Sequence, residues 1–158
     1  MNHVEIIMRI ANSLVIGLIL SFSAVLALAG EDSIEKERKD YQGAWRVVAL
    51  QIDGKEVAEN DAKKLTFINK ADGTWIIESE GKEISSGKSD IDPTKKPKTI
   101  DFMPTLGVFS GNEYVGIYEL GKDTRQICFV EKTKERPTEF SSPAGSGHFL
   151  IKFERLKK

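Results

Sequence analysis

The stretch His148-Phe149-Leu150-Ile151-Lys152-Phe153-Glu154-Arg155, close to the C-terminus, decides the fold class. Phe149, Ile151 and Phe153 alternate with His148, Lys152 and Glu154, the pattern of a strand with one apolar face and one wet face. Similar short runs recur upstream. Glu113–Leu120 (EYVGIYEL) turns at Gly121-Lys122-Asp123 and returns as Arg125–Val130 (RQICFV). Lys98–Met103 (KTIDFM) follows a loop bracketed by Pro93 and Pro97, and Lys82–Ile91 precedes it with one large apolar residue before Ile91. Leu65–Asn69 (LTFIN) and Thr74–Ser79 (TWIIES) flank a hairpin turn at Ala71-Asp72-Gly73. Gly43–Asp53 (GAWRVVALQID) stops at the turn pair Asp53-Gly54, and Val57–Lys64 has a modest helical look. Eight short strands with hairpin-length links predict an all-β barrel or sandwich. Membrane-spanning barrel strands need about 9–11 residues and an apolar outer band, which these mostly short, charged runs do not offer.

The N-terminus is a different object. Residues 1–29 carry only two charged side chains, Glu5 and Arg9, and the run from Ile10 to Ala29 is almost wholly apolar. A positive residue, an apolar stretch and the small-residue end Ala27-Leu28-Ala29 are the parts of a secretory signal peptide, with cleavage predicted after Ala29. The alternative is an uncleaved anchor, since about 20 apolar residues span a bilayer. The expected division is thus a signal peptide over 1–29, a charged lead-in over 30–42 and a folded domain over 43–158. Within the lead-in, Glu35 and Lys39 lie four apart and support a short exposed helix, although a solvated segment is the favoured reading. The mature domain is expected in the periplasm or outside the cell, touching a membrane only through the N-terminal segment if that is retained.

Charge and composition exclude several functions. The formal net charge of −1 gives no footprint for nucleic acid. The single cysteine, Cys128, cannot form an intramolecular disulfide, and two histidines leave little for a metal site. No spaced set of His, Cys and carboxylate ligands is present, so neither metal nor cofactor is expected.

At Gly43-Ala44-Trp45 the sequence resembles the lipocalin pattern: G-x-W opening the first strand, eight short strands, and an arginine in the last. It resembles more closely a bacterial, planctomycete-type family of lipocalin-like domains. The segments carrying this are GAWRVVALQIDGK (43–55), IDPTKKPKTIDF (91–102), GIYEL (116–120), ICF (127–129) and ERPTEFSSPAGSGH (135–148). The resemblance implies an eight-stranded antiparallel up-and-down barrel, closed at one end and cupped at the other. It further implies that Trp45 packs at the closed end against Arg155, a guanidinium over an indole, as a structural pair.

Chemistry is sparse. His148 lies near Ser141, Ser142 and Ser146, but a serine hydrolase needs a hydroxyl activated by the imidazole and a third group orienting that base. No G-x-S-x-G elbow is present, so no catalytic residue is assigned and a hydrolase is a remote alternative. Cys128, between Ile127 and Phe129, reads as packing. Lys95, Lys96 and Lys98 form a small basic cluster that reads as solvated surface. The interior supplies the binding hypothesis, because an eight-stranded barrel is either filled by side chains or holds one small ligand. Strand parity points Phe67, Ile117, Phe129, Phe149 and Ile151 inward, with Phe153 beside them. The function expected is an exported binding module for a small apolar or amphipathic ligand in the cell envelope. The alternative is a filled, structural or protein-interaction barrel meeting an envelope partner through loops 91–98 and 131–147, since long loops tend to be binding loops or lids.

Overall fold

The structure, a computed structural model, describes residues 32–157. The predicted leader and its cleavage point after Ala29 lie outside the described residues. Residues 32–41 are helical (α1). Strand β1 (Gly43–Ile52) follows, then a two-residue strand β2 (Lys55–Glu56) and a single helical turn α2 (Glu59–Ala62). The remaining strands are β3 (Leu65–Asn69), β4 (Thr74–Ser79), β5 (Lys82–Asp92), β6 (Lys98–Gly107), β7 (Tyr114–Leu120), β8 (Thr124–Glu131) and β9 (Phe149–Arg155). Among the described residues, no helix is long and apolar enough to cross a membrane.

All pairings are antiparallel, each long strand meets its neighbour in sequence, and β9 returns to pair with β1. This last ladder closes eight strands into an up-and-down barrel rather than a sandwich, leaving no long open edge. β2 lies outside the eight as a short flap on β1, folded back at Asp53-Gly54. The pairings Trp45↔Arg155 and Trp45↔Phe67 put the start of β1 at the same end as the end of β9. That end also carries the turns after β3, β5 and β7. The opposite end carries the starts of β3, β7 and β9 and the two long connections 108–113 and 132–148.

The helix α1 closes the first end. Its charge density reads as solvated, yet Tyr41 is buried and two of its charged residues reach the barrel wall. Arg38 Nη2 pairs with Asp90 at 2.7 Å, and Lys98 Nζ pairs with Glu37 at 2.6 Å. Trp45, with no exposed surface, donates its indole N–H to the Tyr41 carbonyl at 3.0 Å. The Arg155 guanidinium lies 4.0 Å from the Trp45 ring centre. It donates to Asp40 O (2.6 Å), Gln42 O (2.8 Å) and Lys122 O (3.0 Å). A cation that binds the last carbonyls of a helix satisfies groups which the helix itself leaves open. Gly43 is required here: its φ is +122°, and a Cβ would come 3.2 Å from Arg155 Nη1.

Strand β5 has small buried residues at Ser85 and Ser89, and Gly87 between them leaves room for the Trp75 ring across the ladder. A register shift between Ile77 and Glu78 leaves Ile84 without a partner in this ladder. This explains why the run Lys82–Ile91 shows so little apolar alternation and yet belongs to an 11-residue strand, Lys82–Asp92.

Candidate functional site

Above the closed end the barrel is not filled. A cavity of about 230 Å³ opens toward the far end, and no polar group opens onto it. Phe67, Phe129, Phe149 and Ile151, four of the five residues expected to face inward, line it, together with Trp75, Ile77, Phe102 and Tyr114. Phe129 and Phe149 stack in parallel at 4.9 Å, and Tyr114 meets both edge-on at 5.6 and 6.4 Å. Such aromatic geometry fixes ring positions beyond what area burial alone does.

Ile117 is elsewhere. It is buried, but it pairs with Cys128 on the outer face of β7–β8, whereas Tyr114 and Tyr118 face the core. The inward expectation for Ile117 is therefore corrected. YVGIYEL is apolar on both faces, so alternation alone gives no parity, and the outer face is buried because another segment covers it.

That cover is the connection 132–148, which runs along the side of the barrel as a strap. Arg136 donates to the strand carbonyls Gly116 O (2.7 Å) and Ile100 O (3.2 Å) and pairs with Asp101 at 2.7 Å. Gly147 N–H donates to Asp53 Oδ1 at 2.8 Å, and Asp53 N–H to His148 O at 2.9 Å. The strap closes over Cys128, whose thiol donates to Ser141 O at 3.2 Å and whose pKa is pushed up by burial. The loop 93–97 lies at the closed end, away from the strap's attachment points, and Lys98 beside it is paired with Glu37.

The hydroxyls near His148 are all engaged elsewhere. Ser142 Oγ donates to the His148 carbonyl (2.7 Å), Ser146 Oγ to Pro143 O (2.6 Å) and Ser141 Oγ to Glu139 (2.9 Å). The imidazole Nδ1 lies 3.1 Å from Ser141 O, an acceptor, so this nitrogen carries the proton and cannot accept from the Cys128 thiol 4.0 Å away. Among the described residues no cluster of His, Cys, Asp and Glu is arranged to hold a metal.

Two features escape a sequence reading of the site. Arg125, 3% exposed, lies at the floor of the barrel, 4.4, 4.7 and 4.3 Å from the ring centres of Tyr41, Trp45 and Phe153. It donates to Asn69 Oδ1 at 2.7 Å, and burial pushes its pKa down to about 10. Its parity with Ile127 and Phe129 in RQICFV was the available signal. The second is Phe109, in the connection 108–113, which packs on Tyr114 (5.8 Å) and Phe149 (6.2 Å) at the cavity mouth. Nothing in its neighbours marks it as a site residue. Neither a protein-family model, nor a curated protein, nor a solved structure matches the chain.

Proposed function

We propose that the chain is an exported, lipocalin-like binding module that holds one small apolar or amphipathic molecule in its barrel, in the cell envelope. The apolar cavity carries this reading. A void of about 230 Å³ in a packed interior forfeits on the order of 5 kcal/mol at roughly 24 cal/mol per Å³, a large share of a typical domain's stability. Keeping it requires a compensating use, and an occupant is the simplest. Size and lining define that occupant. The cavity exceeds the ~150 Å³ engineered void that takes benzene and falls below the ~300 Å³ at which drug-sized pockets begin. A polar atom buried in it without a partner would cost about 2–7 kcal/mol, so any polar group of the ligand stays at the mouth. The engaged hydroxyls around His148 favour binding over hydrolysis, and export rests on the leader in residues 1–29.

The two tryptophans supply the test, because Trp75 lines the cavity and Trp45 does not. Bromobenzene, a heavy-atom quencher of suitable size, should quench the wild-type protein saturably and leave the Trp75→Phe variant, which emits only from Trp45, unquenched. Native mass spectrometry of protein purified from the envelope should show a retained small apolar molecule. Absence of saturable quenching up to the solubility of the probe overturns the reading.

A further inference from the structure

The segment that follows β6 borders the mouth of the cavity through Val108 and Phe109. Beyond Phe102, strand β6 has no β7 partner, and residues 103–107 pair only with β5. At Gly107, with φ +85°, the chain leaves that ladder, and a Cβ there would drive into the Ile84 carbonyl. From this fixed point residues 108–112 arch over the mouth. Two of their three backbone hydrogen bonds are long: Val108 N–H to Ile84 O at 3.3 Å and Asn112 N–H to Phe109 O at 3.5 Å, beside Ser110 N–H to Gly107 O at 3.1 Å. The side-chain ties, Ser110 Oγ to Thr105 O (3.3 Å) and Asn112 Nδ2 to Glu131 (3.4 Å), are no shorter. Leu106 is 63% exposed, and Val108, 74% exposed, borders the cavity only at its rim. Phe109 is the ring of this segment that packs inward, onto Tyr114 and Phe149.

From this arrangement we infer that Phe109 is the gate of the cavity and that residues 108–112 swing as a flap from Gly107 to let an apolar molecule in and out. The inference rests on the binding reading above and adds a route and a rate-controlling residue to it. Long, exposed hydrogen bonds and few buried apolar contacts mark the segments that open at low free energy, and lids of this kind set exchange rates. The strap, held by Arg136 on Gly116 O and Asp101 at 2.7 Å each and by Gly147 N–H on Asp53 at 2.8 Å, offers no comparable opening.

Kinetics separate a gate from a mere contact. A contact residue, when truncated, raises only the dissociation rate, whereas removal of a gate raises association and dissociation together. In stopped-flow quenching of Trp75 by bromobenzene, Phe109→Ala should raise both rate constants, by about tenfold or more, and Phe109→Trp should lower both. An unchanged far-ultraviolet circular dichroism spectrum and a cooperative urea transition show that the fold is intact, as expected for a loop substitution. Quenching with a raised dissociation rate alone, or with neither rate altered, overturns the gate and leaves the binding reading standing. Quenching confined to Phe109→Ala keeps the gate and overturns the binding reading for the wild-type protein. No quenching in any variant overturns both.

Discussion

The two ends of this barrel solve opposite problems with the same side-chain types. At the closed end, aromatic rings are packed against cations. Trp45 lies between two guanidinium groups, 4.0 Å from that of Arg155 and 4.7 Å from that of Arg125, and the helix α1 seals the assembly from outside. At the open end, aromatic rings meet each other and aliphatic side chains, with no cation among them, around a void and beneath a flap held by bonds of 3.1–3.5 Å. Rings at the floor therefore contribute rigidity, and rings at the mouth leave space. A barrel that spends its stabilising contacts at one end can leave the other soft, which is what a site requiring entry and exit needs.

The largest effect should come from the floor. Trp45→Ala removes a fully buried indole, its hydrogen bond to Tyr41 O and the surface on which both arginines rest, and should cost about 3–5 kcal/mol. Phe149→Ala, on a half-buried ring beside an existing void, should cost less than half of that, because fewer contacts are lost. Urea denaturation of both variants checks the comparison. A Trp45→Ala loss below about 1 kcal/mol, or equal losses at the two sites, would break it.

How much of this was legible in the chain follows from where parity is informative. In HFLIKFER one face is wet, so alternation gives the inward set Phe149, Ile151 and Phe153 directly, and RQICFV at least carries Arg125 in phase with Ile127 and Phe129. In YVGIYEL both faces are covered, one by the core and one by the strap, and the resulting uniform apolarity hides that Tyr118 faces in and Ile117 out. The helix α1 was hidden for a similar reason: Glu37 and Arg38 look like solvated charge until Lys98 and Asp90, more than 50 residues away, are brought beside them. The cavity could not be read at all, since volume depends on which residues meet across strands, as Gly87 meets Trp75 and Ser85 meets Ile77.

The middle-sized effect concerns alkali. Burial raises the pKa of Tyr118 and of Tyr41, both fully covered at the closed end, while it lowers that of Arg125 to about 10. Above pH 10 the unfolded chain ionises its phenols and the folded chain keeps them protonated. Each tyrosine then removes about 1.4 kcal/mol of stability per pH unit. Arg125 acts with the opposite sign, because above about 10 the unfolded state holds a proton that the buried guanidinium holds less firmly. With two phenols against one guanidinium, stability falls as pH rises above 10. Tyr118→Phe should make that fall shallower. A slope in the variant as steep as in the wild type would show that Tyr118 does not titrate as its burial demands.

The smallest effect is expected at the mouth, and it is the sharpest check of the contrast. Leu106→Ser with Val108→Ser removes two mostly exposed apolar side chains on either side of Gly107, where the flap begins, and neither belongs to the buried core. Stability should stay within about 0.5 kcal/mol of the wild type, as for substitutions away from packed or capped positions. Buried area argues for this outcome, since a side chain that is mostly exposed in the folded state gains little on folding. A loss above about 1 kcal/mol would mean that the flap is packed as firmly as the floor. The softness assigned to the open end, and with it the gating role of Phe109, would then lose its physical basis.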